Sequence, residues 1–312
     1  MSKIAFIFPG QASQYSGMGR EIHDSHPEAA TVFRRADEVL GFPLSAMCFQ
    51  GSEDELKLTE NTQPAILTVS TAVLRVLQQR GLKPDFVAGH SLGEYSALVA
   101  AGSLSFEDAV LAVRKRGRYM QEAVPVGVGA MAACMGMDLA TVESVCAAVR
   151  EGQVLVPANI NCPGQIVVAG HAEPVDRAIA YAKKQGLGRM IRLPVSAPFH
   201  CELMRPAQEK MAQDLGRIAF GDLAVPLVTN VDARFITAGA DARDSLVRQV
   251  TGSVRWQASV EGLAAAGADV FIEVGPKTVL SQMVRKISAA ARTFAVEKPA
   301  EVDAVLAALK TA

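Results

Sequence analysis

The sequence predicts an α/β protein in two parts: a large domain with a mostly parallel sheet, residues 1–126 and 198–312, and an inserted ferredoxin-like small domain, residues 127–197. Three observations predict it. In the outer parts, short continuous apolar runs alternate with helical periodicities, the pattern of strands buried on both faces by helices. Gly89-His90-Ser91-Leu92-Gly93 joins one such run to a helix through a sharp turn. From about Gly127 the order becomes strand-helix-strand-strand-helix-strand, a split βαβ unit of roughly 70 residues.

Ile4-Ala5-Phe6-Ile7-Phe8 is an apolar run stopped by Pro9-Gly10, which reads as a buried parallel strand entering a loop. The loop from Gly10 to Gly19 lies where α/β folds place ligand loops. It lacks the Gly-Lys-Ser/Thr ending of a phosphate loop, so nucleotide binding has no support. Pro27 to Leu40 is helical in pattern and stops at Gly41. Pro64 is expected at a first helical position, opening a helix with Ile66, Val69, Val73 and Leu77 on one face and Gly81 as its stop. Asp85 to Ala88 then leads into the Ser91 turn. In the insert, strands are expected at Ala130–Met135, Val154–Pro157, Gln165–Ala169 and Met190–Pro194, and helices at Asp138–Arg150 and Glu173–Lys184. Asn159 to Gln165 reads as a polar turn between the middle strands. Val195 to Cys201 is a loop leaving the small domain. Pro226–Thr229 and Val270–Val274 return to the large sheet, and helical patterns around Gln257–Ala265, Val279–Ile287 and Val302–Leu309 complete its layers. The insert leaves a crevice between domains, where ligands usually sit.

In Gly-x-Ser-x-Gly the serine is held on a strained strand-to-helix turn, with flanking glycines allowing close backbone approach. That geometry exposes the Ser91 hydroxyl and aims the N–H groups of a helix start at whatever it attacks. It is an acyl-transfer arrangement, though so short a pattern also occurs in ordinary turns. The helix that starts at Ser105-Phe106-Glu107-Asp108 carries a second signal. Ala109, Val110, Ala112, Val113 and Met120 share one arc, Arg114, Lys115 and Arg118 lie opposite as solvated charges, and Arg116 falls inside the apolar arc. A buried guanidinium needs an anion. Either a structural carboxylate or a substrate carboxylate would serve, the latter matching the two-pronged Arg donor.

Composition narrows the partners. A formal charge of -1 and a sparse aromatic content give no footprint for nucleic acid or an anionic membrane surface. Five widely spaced cysteines without a Cys-x-x-Cys pair suit a reducing compartment, and no apolar run approaches a membrane span or a signal-peptide core. A cytoplasmic monomer is expected. No pairs of His, Cys, Asp or Glu show metal-ligand spacing. A serine needs a base, and the candidates are His23, His26, His90, His171 and His200. His200 stands out, because it follows Ser91 in the chain order of α/β-hydrolase-like folds and sits on a loop at the domain junction.

Several spaced segments together resemble the malonyl-CoA:acyl carrier protein transacylases over nearly the whole chain. They are Phe8-Pro9-Gly10-Gln11, Asn61-Thr62-Gln63-Pro64, Gly89-His90-Ser91-Leu92-Gly93-Glu94, Arg116-Gly117-Arg118-Tyr119-Met120-Gln121, Gly129-Ala130-Met131, Pro198-Phe199-His200, Gln249 with Val254-Arg255-Trp256, and Gly275-Pro276. The resemblance implies that Ser91 takes a malonyl group as an ester, with His200 as base and the Gln249 backbone carbonyl orienting its ring. It implies an oxyanion hole from the N–H groups of Gln11 and Leu92, and Arg116 as ligand of the malonyl carboxylate. Gln63, Asn161 and Phe199 are expected at the substrate, with Phe199 excluding an α-methyl branch. Malonyl-CoA is then a substrate and acyl carrier protein the partner, with no cofactor and no metal. Ala12 departs from the glycine that many relatives carry. A serine hydrolase, a carrier- or CoA-binding module and a discrete polyketide acyltransferase are the competing readings.

Overall fold

The computed structural model describes residues 2–195 and 197–310; Ser196, in the predicted loop from Val195 to Cys201, lies outside them. The strands are β1 (Lys3–Phe8), β2 (Phe86–Gly89), β3 (Gly129–Met135), β4 (Leu155–Cys162), β5 (Gln165–His171), β6 (Arg189–Arg192), β7 (Leu227–Val228), β8 (Phe235–Ile236), β9 (Ala268–Val274) and β10 (Arg292–Val296). They form a six-stranded sheet in the order β10-β9-β1-β2-β7-β8 and a four-stranded sheet in the order β4-β5-β3-β6. In the larger sheet all pairs are parallel except β7 with β8. The apolar runs explain this: Ala5 to Phe8 are wholly buried in the middle of the sheet, as strands covered on both faces must be. β1 and β2 end together, with Phe8 paired to Gly89, so the loops at Gly10 and His90 emerge side by side at the carboxyl edge.

The helix predicted to open at Pro64 begins earlier, and Pro64 lies inside Thr59–Gln79. Proline lacks the N–H that would reach the carbonyl four residues back, Glu60. Arg114 satisfies that freed carbonyl instead, Nη1 donating to Glu60 O at 2.8 Å. Arg114 and Lys115 are therefore not merely solvated; Lys115 pairs with Asp214 at 3.0 Å.

The small sheet is antiparallel throughout, and the helices Leu139–Val149 and Ala172–Gln185 seal one face with a core of their own. Its other side joins the main core through Met131, Ala158, Val167 and Ala169. The expected polar turn at Asn159–Gln165 is shorter than predicted. β4 continues to Cys162, because Ile160 and Cys162 alternate with the asparagines at strand period and the large domain supplies a partner. Ile160 N donates to Val254 O at 2.9 Å and Val254 N to Ala158 O at 2.8 Å, so backbone bonds tie β4 to the segment at Val254. Among the described residues no helix is long and apolar enough to cross a membrane.

Candidate active site

Ser91 sits between β2 and the helix Gly93–Ala100 with φ of 53°, a left-handed conformation that non-glycine residues adopt at a cost of ~1–3 kcal/mol. The flanking glycines are required by contact. A Cβ on Gly93 would stand 2.1 Å from Phe8 O, and one on Gly89 would stand 2.0 Å from the Gly93 backbone. His200, on the loop returning from the insert, is also left-handed, with φ of 62°. The two meet: Ser91 Oγ lies 2.8 Å from His200 Nε2.

The tautomer follows from the other ring nitrogen. His200 Nδ1 is 2.9 Å from the Gln249 backbone carbonyl, which only accepts, so Nδ1 carries the proton and Nε2 is left to accept from Ser91. Burial and the nearby Arg116 charge push His200 down to about 3, which keeps the ring neutral. A neutral base on a serine hydroxyl, with a carbonyl in the place of an acid, suits proton transfer in both directions.

Arg116 is wholly buried, as its place in the apolar arc requires. Among the described residues it meets no carboxylate directly. Nη1 donates to Gln63 Oε1 at 2.8 Å, and Nη2 donates to Gln249 Oε1 at 2.9 Å and to Ser91 Oγ at 3.1 Å. Its Nε has no partner among the described residues, and the guanidinium lies 5.8 Å from the centre of the Tyr95 ring. Of the two anions open to it, the structural carboxylate is absent from its contacts.

Gln63 also reaches the first loop, Nε2 donating to Gln11 Oε1 at 3.3 Å. Gln11 follows Gly10, where a Cβ would stand 2.6 Å from His90 O, so the Gln11 loop lies directly against the serine turn. Ala12 takes φ of 80°, the backbone a glycine would adopt. Leu92 starts the helix after Ser91, and its side chain is buried. Asn161 is built into the wall, its Oδ1 2.9 Å from His90 Nε2. Phe199 is buried in the main core beside His200.

Three residues at the site had no role in the sequence reading. Asn230 accepts from Ser91 N–H through Oδ1 at 2.7 Å and donates through Nδ2 to Gly89 O at 2.6 Å, stapling the turn. Glu94 and Ser245 lie behind it, hydrogen bonded to each other at 2.9 Å. A polar residue straight after the apolar run Pro226–Thr229 was the available signal for Asn230, since such strand ends border ligand sites.

Residues 5–309 match the model of the acyl transferase domain family. The malonyl CoA-acyl carrier protein transacylase of Bacillus subtilis is 50% identical over 311 residues, covering 99% of this chain and 98% of that protein. The chain is a member of the malonyl CoA-acyl carrier protein transacylases. The transacylase of Coxiella burnetii superposes with a TM-score of 0.96 at 40% identity, covering 98% of this chain and 97% of that one. A malonyl-transacylase solved in complex with its type II PKS acyl-carrier protein gives the same TM-score at 42% identity, with 98% and 100% covered. The acyltransferase class and the two-sheet α/β architecture of the transacylases are thus those of this chain.

Proposed function

We propose that this chain carries a malonyl group from malonyl-CoA, as an ester on Ser91, to the phosphopantetheine thiol of an acyl carrier protein in fatty acid biosynthesis. The observation that carries the reading is Arg116, a buried cation beside the nucleophile whose hydrogen-bond acceptors among the described residues are all neutral oxygens. An incoming malonyl carboxylate would supply a direct anionic partner. Ser91 Oγ attacks the thioester carbonyl while His200 Nε2 takes its proton; the C–S bond breaks and coenzyme A leaves with that proton. The carrier thiol then gives its proton to His200, attacks the malonyl ester and releases Ser91, which recovers the proton. In both halves the oxyanion is held by the N–H groups of Gln11 and Leu92, each donor of this kind worth ~10²–10³ in rate. Phe199 restricts the α-carbon, favouring malonyl over methylmalonyl. Asn161, tied to His90, forms part of the wall against which the substrate lies.

The division at residues 126/127 and 197/198 puts Ser91 and Arg116 on one side of a crevice and the His200 loop at its hinge with the small domain. Five free, buried cysteines support a cytoplasmic setting, and a monomer is the working unit. The carrier is a fatty acid synthesis protein in this reading. The likeness to a transacylase of a type II PKS carrier favours a polyketide carrier as the second reading.

Incubation with malonyl-CoA and no carrier tests the assignment. A burst of coenzyme A close to one per enzyme, with a malonyl adduct in the intact mass, is expected, and Ser91→Ala is expected to show neither. Sustained coenzyme A release would make the chain a hydrolase, and an adduct persisting in Ser91→Ala would move the nucleophile elsewhere.

A further inference from the structure

Glu94 lies in the first turn of the helix after Ser91 and is wholly buried. Every contact it makes is with a donor: Ser245 Oγ on Oε1 at 2.9 Å, and Asn230 N–H and Gln249 Nε2 on Oε2 at 3.0 and 2.8 Å. Two of those partners hold the reacting groups. Asn230 Oδ1 fixes the Ser91 N–H. Gln249 does more: its backbone oxygen orients His200, its Nε2 donates also to Ser91 O at 2.9 Å, and its Oε1 accepts from Arg116. The Gln249 carboxamide is therefore strung between a buried carboxylate and a buried guanidinium, N–H toward Glu94 and C=O toward Arg116.

We infer that Glu94 is a positioning residue whose negative charge, delivered through the Gln249 carboxamide, balances Arg116 and so sets both the strength of the carboxylate subsite and the basicity of His200. Two opposite charges sharing one amide polarise it, which strengthens each hydrogen bond along the line. Burial raises Glu94 above the ordinary carboxylate range, and the three donors together with the Arg116 charge hold it back toward the ionised form. With the anion in place, Arg116 binds the malonyl carboxylate without holding it too tightly, and its field at His200 is partly cancelled. The chain thus contains a buried acid that serves the base from one residue further away than in a Ser-His-Asp triad.

The inference rests on the transferase reading above, and the test separates the two. Glu94→Gln keeps the volume, leaves one oxygen to accept from Asn230 and Gln249, and lets its amide donate to Ser245 Oγ, whose hydroxyl both donates and accepts. Malonyl-Ser91 formation is followed by rapid quench and intact mass at rising malonyl-CoA concentration. Removing an opposite charge from a buried site moves a neighbour's equilibria by about tenfold or more. The maximal acylation rate is expected to fall by about tenfold or more and the half-saturating concentration to fall with it, because unbalanced Arg116 binds the carboxylate more tightly while His200 becomes a weaker base. Wild-type values for both constants, or a slower rate with a higher half-saturating concentration, would overturn the role, the second outcome marking a purely structural one. Glu94→Asp, which keeps the charge, is expected to restore the half-saturating concentration; failure to do so counts against the charge. Absence of an adduct in the wild type would instead refute the transferase reading.

Discussion

At the scale of single residues, the proposed chemistry turns on a histidine with no acidic hydrogen-bond partner among the described residues. Burial and the Arg116 charge push His200 down to about 3, far below an unperturbed imidazole. The protonated ring cannot accept from Ser91, so the fraction of competent enzyme falls only where that depressed value is approached. Acylation measured as kcat/KM is therefore expected to stay level as pH falls from about 7.5 to about 5.5, across the range where an ordinary histidine would cost about tenfold. A tenfold loss centred near pH 6.5 would contradict the neutral, buried base. Stability moves in a defined direction. The unfolded chain binds a proton at His200 below about pH 6.5 and the native chain does not, so this contribution is present above that pH and is lost as pH drops toward the depressed value. Ser91, His200 and Arg116 were legible in the sequence because each breaks a local pattern: a serine between two turn glycines, a histidine on a junction loop, a cation in an apolar arc. Glu94 was not, and Asn230 showed only as a polar residue at a strand end. They lie 136 positions apart, and neither residue's spacing shows that both will be buried together.

Elements decide how close these groups can come. The serine turn works because β1, β2 and the helix Gly93–Ala100 touch backbone to backbone, with Phe8 O against Gly93. Gly93→Ala places a methyl into that oxygen with backbone on both sides, and the expected cost is ~3 kcal/mol or more, read as a lower denaturation midpoint. An unchanged midpoint would mean that the turn is looser than its contacts. The continuous strands β1, β2 and β9 were readable from apolar runs. The helix Gly239–Gln249 was not, although it delivers both Ser245 and Gln249. Its sequence, GADARDSLVRQ, is too polar for a clear apolar face, and its burial comes from tertiary packing rather than local periodicity. The early start of Thr59–Gln79 escaped prediction for a related reason. The partner that makes Pro64 tolerable, Arg114, comes from a helix 50 residues away in the chain.

Across the whole molecule, the candidate site draws on five distant stretches: the Gln11 loop, the Ser91 turn, the helix bearing Arg116, the His200 loop, and the helix Gly239–Gln249 that ends at Gln249. The two-part architecture was legible because an antiparallel βαββαβ order cannot belong to a parallel sheet. The clamp between β4 and Val254 was not legible, since an isolated backbone bridge leaves no side-chain pattern. In the proposed function that assembly presents a buried cation, with no direct carboxylate partner among the described residues, beside the nucleophile. The most direct test compares transfer from malonyl-CoA and acetyl-CoA by wild type and by Arg116→Ala, with the acylated peptide mapped in each. Malonyl transfer is expected to fall by about a hundredfold or more while acetyl transfer is comparatively spared, with acyl groups found on Ser91. Equal losses on the two substrates would contradict it, because Arg116 would then be holding the fold rather than reading a carboxylate.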